Sequence, residues 1–401
     1  MADLYTLDDL DLGSLKGKRV FVRVDFNVPM SEAGEVLDAT RIEEVVPTLR
    51  ELREAGCILL LASHAGRPKG KRDPRYSLRP VVAKLSEILQ CGARFAEDCV
   101  GEEVEKIARE MDEGDVLLLE NLRFHAGEEK NDPAFADQLA ALAEAFVDDA
   151  FGSAHRAHAS VVGVPERLQR KAAGRLLTRE VEALGKLLGE PERPFAAILG
   201  GAKIEGKIDT LENLLPRLDM LLLGGGMANT FLAAQGLDVG GSLYEPDRLD
   251  MAREILERAR SKGIEVLLPT DVVVTESLDL PDPDSRTVAA DRIPSTGKAV
   301  DIGPATRKAF AEAVGRAKTL FWNGPLGVFE KPPFDAGTRE VALALASCPG
   351  FSVIGGGETV AAAHQAEVTD RIGHVSTGGG ASLEFLAGKT LPGVAVLEKG
   401  K

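Results

Sequence analysis

The chain has 401 residues, 44% of them hydrophobic and 28% charged, and a formal net charge of −15. It is longer than the roughly 250–300 residues at which one core usually splits, so two globular domains are expected. No apolar run approaches the roughly 18 residues of a membrane span, and the acidity opposes non-specific binding to nucleic acid or to an anionic membrane, so any anion site must be locally basic.

The first segment, Met1-Ala-Asp-Leu-Tyr-Thr-Leu-Asp-Asp9, lacks the basic-then-apolar order of a signal peptide, and a cytoplasmic location is expected. Four cysteines (Cys57, Cys91, Cys99, Cys348) form no C-x-x-C pair, which argues for reduced thiols and suggests no structural zinc. From Lys18 the chain reads Lys-Arg-Val-Phe-Val-Arg23-Val-Asp25-Phe26-Asn27-Val-Pro29. This is an alternating strand whose period of two puts Arg23, Asp25 and Asn27 on one face. That face is either a binding surface or the solvated side of a half-exposed antiparallel strand. Thr40-Arg41-Ile42 then opens a helix carrying Arg41.

Cys57-Ile-Leu-Leu-Leu-Ala reads as a buried strand ending in Ser63-His64-Ala65-Gly66-Arg67-Pro68. In open α/β sheets the carboxyl edge of the strands is where ligands bind. The pattern recurs at Val116-Leu-Leu-Leu-Glu120-Asn121-Leu122-Arg123-Phe124, and again at Ala145–Gly152 before Ser153-Ala-His155-Arg156-Ala-His158. His155-x-x-His158 lacks the partners of a zinc site, so an anion site is the better reading. Arg23, Arg41, Arg67, Arg123 and Arg156 thus lie at strand ends or helix starts. Guanidinium groups grip phosphate and carboxylate oxygens bidentately, so their convergence would make a basic pocket; otherwise they are unrelated surface charges.

A helical spacing of apolar residues runs from about Ala173 to Leu188 and stops at Gly189 before Pro191, which suggests a connector between domains. Next, Phe195-Ala-Ala-Ile-Leu-Gly-Gly201-Ala-Lys203-Ile-Glu-Gly-Lys207-Ile208 reads as strand, turn and a helix from about Lys203, with both lysines on one face. It falls short of a P-loop because Ile208 stands where that motif needs a hydroxyl for magnesium. Either the lysines hold a polyphosphate or they are ordinary surface charges. Glycine-rich turns then follow strand-like runs at Gly224-Gly225-Gly226, Asn323-Gly324-Pro325, Gly355-Gly356-Gly357-Glu358-Thr359 and Gly378-Gly379-Gly380, with another strand over Glu265–Asp271. Strands alternating with helices predict an α/β fold built on doubly wound parallel sheets. Glycine turns and helix N-termini suit phosphates. None spells G-x-G-x-x-G, which weakens a dinucleotide-binding reading.

Together, Arg-Val-Asp-Phe-Asn-Val-Pro (23–29), Ser-His-x-Gly-Arg-Pro (63–68), Glu-Asn-Leu-Arg-Phe (120–124), Ala-His-Arg-Ala-His (154–158), Gly-Gly-Ala-Lys (200–203), Asn-Gly-Pro-x-Gly-Val-Phe-Glu (323–330) and Thr-Gly-Gly-Gly-Ala-Ser (377–382) closely resemble phosphoglycerate kinases, in the family's order and over nearly the whole chain. The resemblance implies reversible phosphoryl transfer between 1,3-bisphosphoglycerate and ADP, giving 3-phosphoglycerate and ATP, by in-line transfer on closure of two Rossmann-like domains. It implies a phosphoglycerate domain at 1–172 with a tail, 386–401, returning to it, a hinge helix at 173–188 and a nucleotide domain at 189–385. Asp25, Phe26, Asn27, Arg41, His64, Ala65, Gly66, Arg67, Arg123 and Arg156 would bind phosphoglycerate. Gly201, Lys203, Lys207, Gly225, Asn323, Glu330, Gly356, Gly357, Glu358 and Thr359 would bind the nucleotide. Arg41, Lys203 and Lys207 would be catalytic, and Glu358 would hold Mg2+ as MgADP or MgATP, with Asp301 the next choice. The resemblance also implies a monomer with small-molecule partners only.

Two positions depart from the family pattern: Ala65 replaces the usual Leu, and Glu358 replaces the usual metal-binding Asp after Gly-Gly-Gly. Glu keeps the hard oxygen donor but adds a methylene, which bears on metal preference. Two other classes compete with a kinase: a nicotinamide oxidoreductase, which the missing fingerprint disfavours, and a nucleotide-binding scaffold without turnover. A coupled assay of ATP formation separates all three.

Overall fold

The computed structural model describes residues 3–31, 33–278 and 284–400. The chain divides into two compact units, one of residues 1–182 with 390–401 and the other of residues 183–389.

The first unit is built on six parallel strands: β1 (Arg19–Val24), β2 (Ile58–Ala62), β3 (Ala93–Phe95), β4 (Val116–Leu118), β5 (Ala145–Asp149) and β6 (Lys171–Ala173). They lie in the order β3-β4-β2-β1-β5-β6. Val22 pairs with Leu61 on one side and Val147 on the other, and β1 is buried along its whole length after Arg19. The alternation from Lys18 is therefore not that of a half-exposed strand. β1 stops at Val24, Arg23 is fully buried, and Asp25 and Asn27 lie in the loop beyond. A parallel strand covered on both faces needs apolar residues on both, so polar positions belong past its end. From β1 the chain proceeds outward to β2, and from β5 to β6 on the other side. The loops after β1 and β5 thus flank the switch point where such sheets bind ligands.

Residues 390–401 complete this unit. Tyr5 N–H donates to Leu397 C=O at 2.9 Å, Lys399 N–H to Asp3 C=O at 2.8 Å and Gly393 N–H to Ala154 C=O at 2.9 Å. The helix Arg175–Leu188 carries the chain from the first unit to the second.

The second unit has its own parallel sheet: β7 (Phe195–Leu199), β8 (Met220–Leu223), β9 (Glu265–Leu267), β13 (Thr319–Asn323), β14 (Phe351–Ile354) and β15 (His374–Val375), ordered β15-β14-β13-β7-β8-β9. Between β9 and β13 come β10 (Asp271–Thr275), β11 (Ser285–Ala289) and β12 (Lys298–Ile302), an antiparallel sheet ordered β11-β10-β12. That small sheet is an addition to the alternating pattern read from the sequence. Trp322 on β13 is fully buried among Ile198, Leu222 and Ile354, and burying side chains of this size contributes roughly 1.5–3 kcal/mol each. Here β7 and β13 flank the switch point, so the turns at Gly200 and Gly324 meet at one place on the sheet edge. Among the described residues no helix is long and apolar enough to cross a membrane.

Candidate functional sites

In the first unit, the loops after β1, β2, β4 and β5 converge on a basic cluster held by an ordered set of hydrogen bonds. Phe26 N–H donates to Ser63 Oγ at 2.8 Å and Gly66 N–H to Asn27 Oδ1 at 3.0 Å, tying the first loop to the second. Asn121 Nδ2 donates to the carbonyls of Ala65 and Tyr76, both at 2.8 Å, while its Oδ1 accepts from Arg123 N–H at 3.0 Å. Arg123 Nη1 then reaches Gly66 C=O at 2.8 Å. Arg41, on the short helix Thr40–Glu43, pairs through Nη1 with Asp25 Oδ2 at 2.7 Å.

Behind these groups, Arg23 donates from Nε to Ser160 Oγ at 2.8 Å and from Nη2 to His64 Nδ1 at 3.2 Å. Ser160 Oγ donates in turn to buried Glu128 at 2.6 Å. Burial alone pushes the Asp25 carboxyl up, but His64, Arg41, Arg23 and the Asn27 N–H together hold it below its ordinary value. His64 sits well below its own ordinary value. Burial comes first, and Arg23, Arg123 and Arg41 add to it against the pull of Asp25. The imidazole is therefore neutral at pH 7, and the arginines carry the effect on Asp25. Burial, then Arg123, Arg23 and Arg156, pull His158 down to about 3. Burial and then Arg23 lower Arg123, with Arg156 adding to them and Glu129 opposing. So the structure brings Arg23, Arg41, Arg123 and Arg156 close enough to perturb common neighbours. Arg67 stands exposed at the end of the Ser63–Arg67 turn. An excess of positive charge, partly removed from water, is a site that gains by receiving an anion.

Gly66 has a left-handed φ of 56°, and a Cβ there would run into the Tyr76 ring. Gly66→Ala is expected to destabilise by roughly 1–3 kcal/mol and to displace the carbonyl that orients Arg123, raising KM for the anionic substrate more than it lowers kcat. Thermal denaturation and steady-state kinetics check this. An unchanged Tm and KM would mean that the ring simply moves aside.

In the second unit, the turns after β7, β8, β13 and β14 surround a cavity of about 260 Å³. Its wall includes Gly201, Gly225, Glu330 and Glu358, together with the apolar Leu243 and Leu326. Gly201 N–H donates to Pro325 C=O at 2.6 Å and Met227 N–H to Gly201 C=O at 3.0 Å, which locks three of the turns together. Lys207 Nζ bonds the carbonyl of Gly200 and reaches that of Asn323 at 3.4 Å. Burial lowers its pKa to about 8, against the opposing pull of Glu358.

The helix expected from Lys203 begins later, at Ile208, after a short 3-10 turn over Glu205–Lys207. Lys203 is exposed and Lys207 half-buried, so the two do not share a regular helical face. Gly206 lies inside the 3-10 turn, ahead of the regular helix. Asn323 and Thr359 are buried and brace the turns. Asn323 Nδ2 donates to Gly355 C=O at 2.7 Å, and Thr359 Oγ1 accepts from Gly324 N–H at 2.6 Å. Gly356, with φ 92°, has no room for a Cβ, which would lie 2.7 Å from Asn323 Nδ2.

The helix Gly357–Gln365 follows at once, with exposed Glu358 in its first turn. Asp301, a further carboxylate on the cavity wall, is spent on structure. Its oxygens accept from Gly337 N–H at 2.8 Å and Ile302 N–H at 2.9 Å, and burial raises it to about 7. An exposed carboxylate beside a half-buried ammonium and a helix N-terminus suits a hard cation accompanying a polyphosphate. The sequence pattern did not reveal Glu128, a buried acid within a polar run, nor the apolar wall from Leu243 and Leu326.

Residues 7–389 match the family model described as phosphoglycerate kinase. The phosphoglycerate kinase of Desulforudis audaxviator (strain MP104C) is 53% identical over 393 residues, covering 98% of each chain. The cytosolic phosphoglycerate kinase of Triticum aestivum is 50% identical over 402 residues, covering 100% of each. Among solved structures, the phosphoglycerate kinase from Coxiella burnetii matches with a TM-score of 0.89 at 40% identity, covering 98% of both chains. That from Pyrococcus horikoshii OT3 matches with a TM-score of 0.85 at 32% identity, with the same coverage.

Proposed function

The chain belongs to the phosphoglycerate kinase family, a kinase of glycolysis that transfers a phosphoryl group between 1,3-bisphosphoglycerate and ADP, and on that premise we propose how its residues divide the work. The basic cluster of the first unit binds the phosphoglycerate. Arg123, Arg156 and Arg67 neutralise the anion, while Asn27 and neutral His64 offer directional hydrogen bonds. The cavity of the second unit binds the nucleotide, its base against Leu243 and Leu326 and its phosphates toward Lys203, Lys207 and the Gly356–Thr359 helix start. The observation that carries this division is the pairing of an arginine cluster in one unit with a lysine and glycine cavity in the other.

The acceptor is an anion in both directions, so no general base is required. Catalysis is positioning and charge stabilisation. Asp25 holds the Arg41 guanidinium in place to meet charge on the transferring oxygens, and Lys203 and Lys207 serve the phosphate chain. Mg2+ fits the oxygen donor of Glu358 and when bound would neutralise nucleotide phosphates. Monomeric action in the cytoplasm belongs to the same reading, supported by the relative named cytosolic. A coupled assay of ATP formation from 1,3-bisphosphoglycerate and ADP tests the whole: turnover is expected, and its absence in folded protein would leave a binding protein.

Lys203→Ala is expected to raise KM for the nucleotide with the fold intact, checked by kinetics beside circular dichroism; near-normal values would return it to the surface. Glu358→Ala is expected to raise the Mg2+ needed for half-maximal rate by roughly 10–100-fold, and Glu358→Asp to retain most activity. The longer Glu side chain is expected to be less exacting about octahedral fit, so Mn2+ supports the wild type nearly as well as Mg2+. A metal titration of rate settles this, and an unaltered requirement in Glu358→Ala would remove the assignment.

A further inference from the structure

Outside the residues assigned to either site, Asp98, Cys99 and His125 bring a carboxylate oxygen, a thiol sulfur and an imidazole nitrogen within 4.8 Å of one another. The sequence hides this grouping, since His125 lies far along the chain from Asp98-Cys99 and no motif spacing joins them. Asp98 Oδ1 sits 2.6 Å from His125 Nε2 and also accepts the Cys99 N–H at 2.7 Å. The His125 ring stacks on Phe135, with centroids 5.1 Å apart and planes inclined by 22°. The turn that follows packs against the same residue: a Cβ on Gly127 would lie 2.8 Å from Phe135 Cβ. The imidazole is therefore fixed by packing rather than by its acidic partner alone.

We infer that Asp98, Cys99 and His125 form a binding site for a borderline-soft divalent transition cation of the zinc type. One thiolate, one imidazole and one carboxylate are the donors such an ion prefers, and a thiol in the set disfavours magnesium and calcium. Tetrahedral zinc spaces these donors about 3.3–3.6 Å apart, so the Asp98 and His125 atoms separate by less than about 1 Å to admit it. Cys99 is fully buried, whereas the Asp98 and His125 side chains are 45% and 33% exposed. The ion would enter from that open side and keep a water as its fourth ligand.

On binding, the Cys99 thiol gives its proton to solvent, and His125 Nε2 offers its lone pair to the metal in place of its hydrogen bond to Asp98. Burial first, then Asp98 and Glu128, push the thiol well above its ordinary value. The same negative groups attract a cation. His125 follows directly on the turn Leu122–Phe124 that carries Arg123, so metal here would also stiffen one side of the phosphoglycerate cluster.

Co2+ is the probe, because its thiolate complexes absorb in the near ultraviolet by charge transfer. Titrating the full chain is expected to give such a band at one equivalent, reversed by Zn2+. Cys99→Ser should abolish the band, whereas Cys57→Ser, Cys91→Ser and Cys348→Ser should keep it. Because Cys99 is buried, His125→Gln provides a second test: it should weaken Co2+ binding on the order of 100-fold while the far-ultraviolet spectrum stays unchanged. A band that persists in Cys99→Ser, an affinity unmoved in His125→Gln, or no band at all in the wild type would overturn the site.

Discussion

Arg41→Ala is expected to lower kcat on the order of 1,000-fold, with KM for phosphoglycerate changing by less than roughly 10-fold. The expectation rests on the 2.7 Å pair between Arg41 Nη1 and Asp25 Oδ2. The pair fixes a guanidinium that is still 38% exposed, with donors left over for a ligand. A group held this way, and not consumed by structure, is suited to charge that develops only as the phosphoryl leaves one oxygen for another. Removing it also leaves Asp25 with one fewer counter-charge, so its carboxyl should titrate at higher pH in the variant. Steady-state kinetics in both directions check the claim. Intact kcat with a large rise in KM would make Arg41 a binding residue only.

Lys207→Ala is expected to cost roughly 100–1,000-fold in kcat/KM for the nucleotide, and the wild-type pH profile should show why. With its pKa lowered to about 8 by burial, the free enzyme loses the ammonium as pH rises through that value, so kcat/KM falls there. A bound polyphosphate favours the charged form, so the corresponding fall in kcat lies at higher pH. The stability effect has the opposite sign. Between about 8 and the ordinary lysine value near 10.5 the unfolded chain holds a proton that the folded one has released, so stability rises with pH across that window and the cost of the buried charge is full below it. Lys207→Met should therefore be more stable than wild type at pH 7 while nearly inactive. A variant with normal turnover, or a profile flat through pH 8, would show that the lysine does not touch the phosphates.

Much of this architecture was legible because parallel strands buried on both faces declare themselves as unbroken apolar runs: Ile58–Ala62, Val116–Leu118 and Met220–Leu223 are strands, each followed by a polar or glycine-rich turn. Alternation misled at Arg23. A buried arginine satisfied by Ser160, Ser153 and His64 has the same one-dimensional pattern as an exposed one, and only tertiary contacts distinguish them. Lys203 and Lys207 illustrate a second limit. Spacing of four implies a shared face only if the segment is helical, and the chain delays its helix to Ile208. Glu128 marks a third, because a carboxylate between Gly127 and Glu129 carries no local sign of burial. Motif order along the chain pointed to the loops that line the candidate sites; the hydrogen bonds of Asn121, Thr359 and Asn323 that hold those loops in place depend on neighbours far away in sequence.

The first unit is interrupted, with residues 390–400 packing beside residues near the start of the chain. Domains usually fold in the order in which they leave the ribosome, the amino-terminal one first. Here that order is inverted for the final step. While the polypeptide is growing, the six-stranded sheet of the first unit can assemble, but the backbone partners of Asp3, Tyr5 and Ala154 have not yet been translated. Every residue of the second unit is synthesised before residues 390–400, which finish the first. The nascent protein therefore carries an incomplete amino-terminal unit through the whole synthesis of its neighbour, and emergence of residues 390–400, rather than of the sheet, sets the earliest moment at which the first unit is whole.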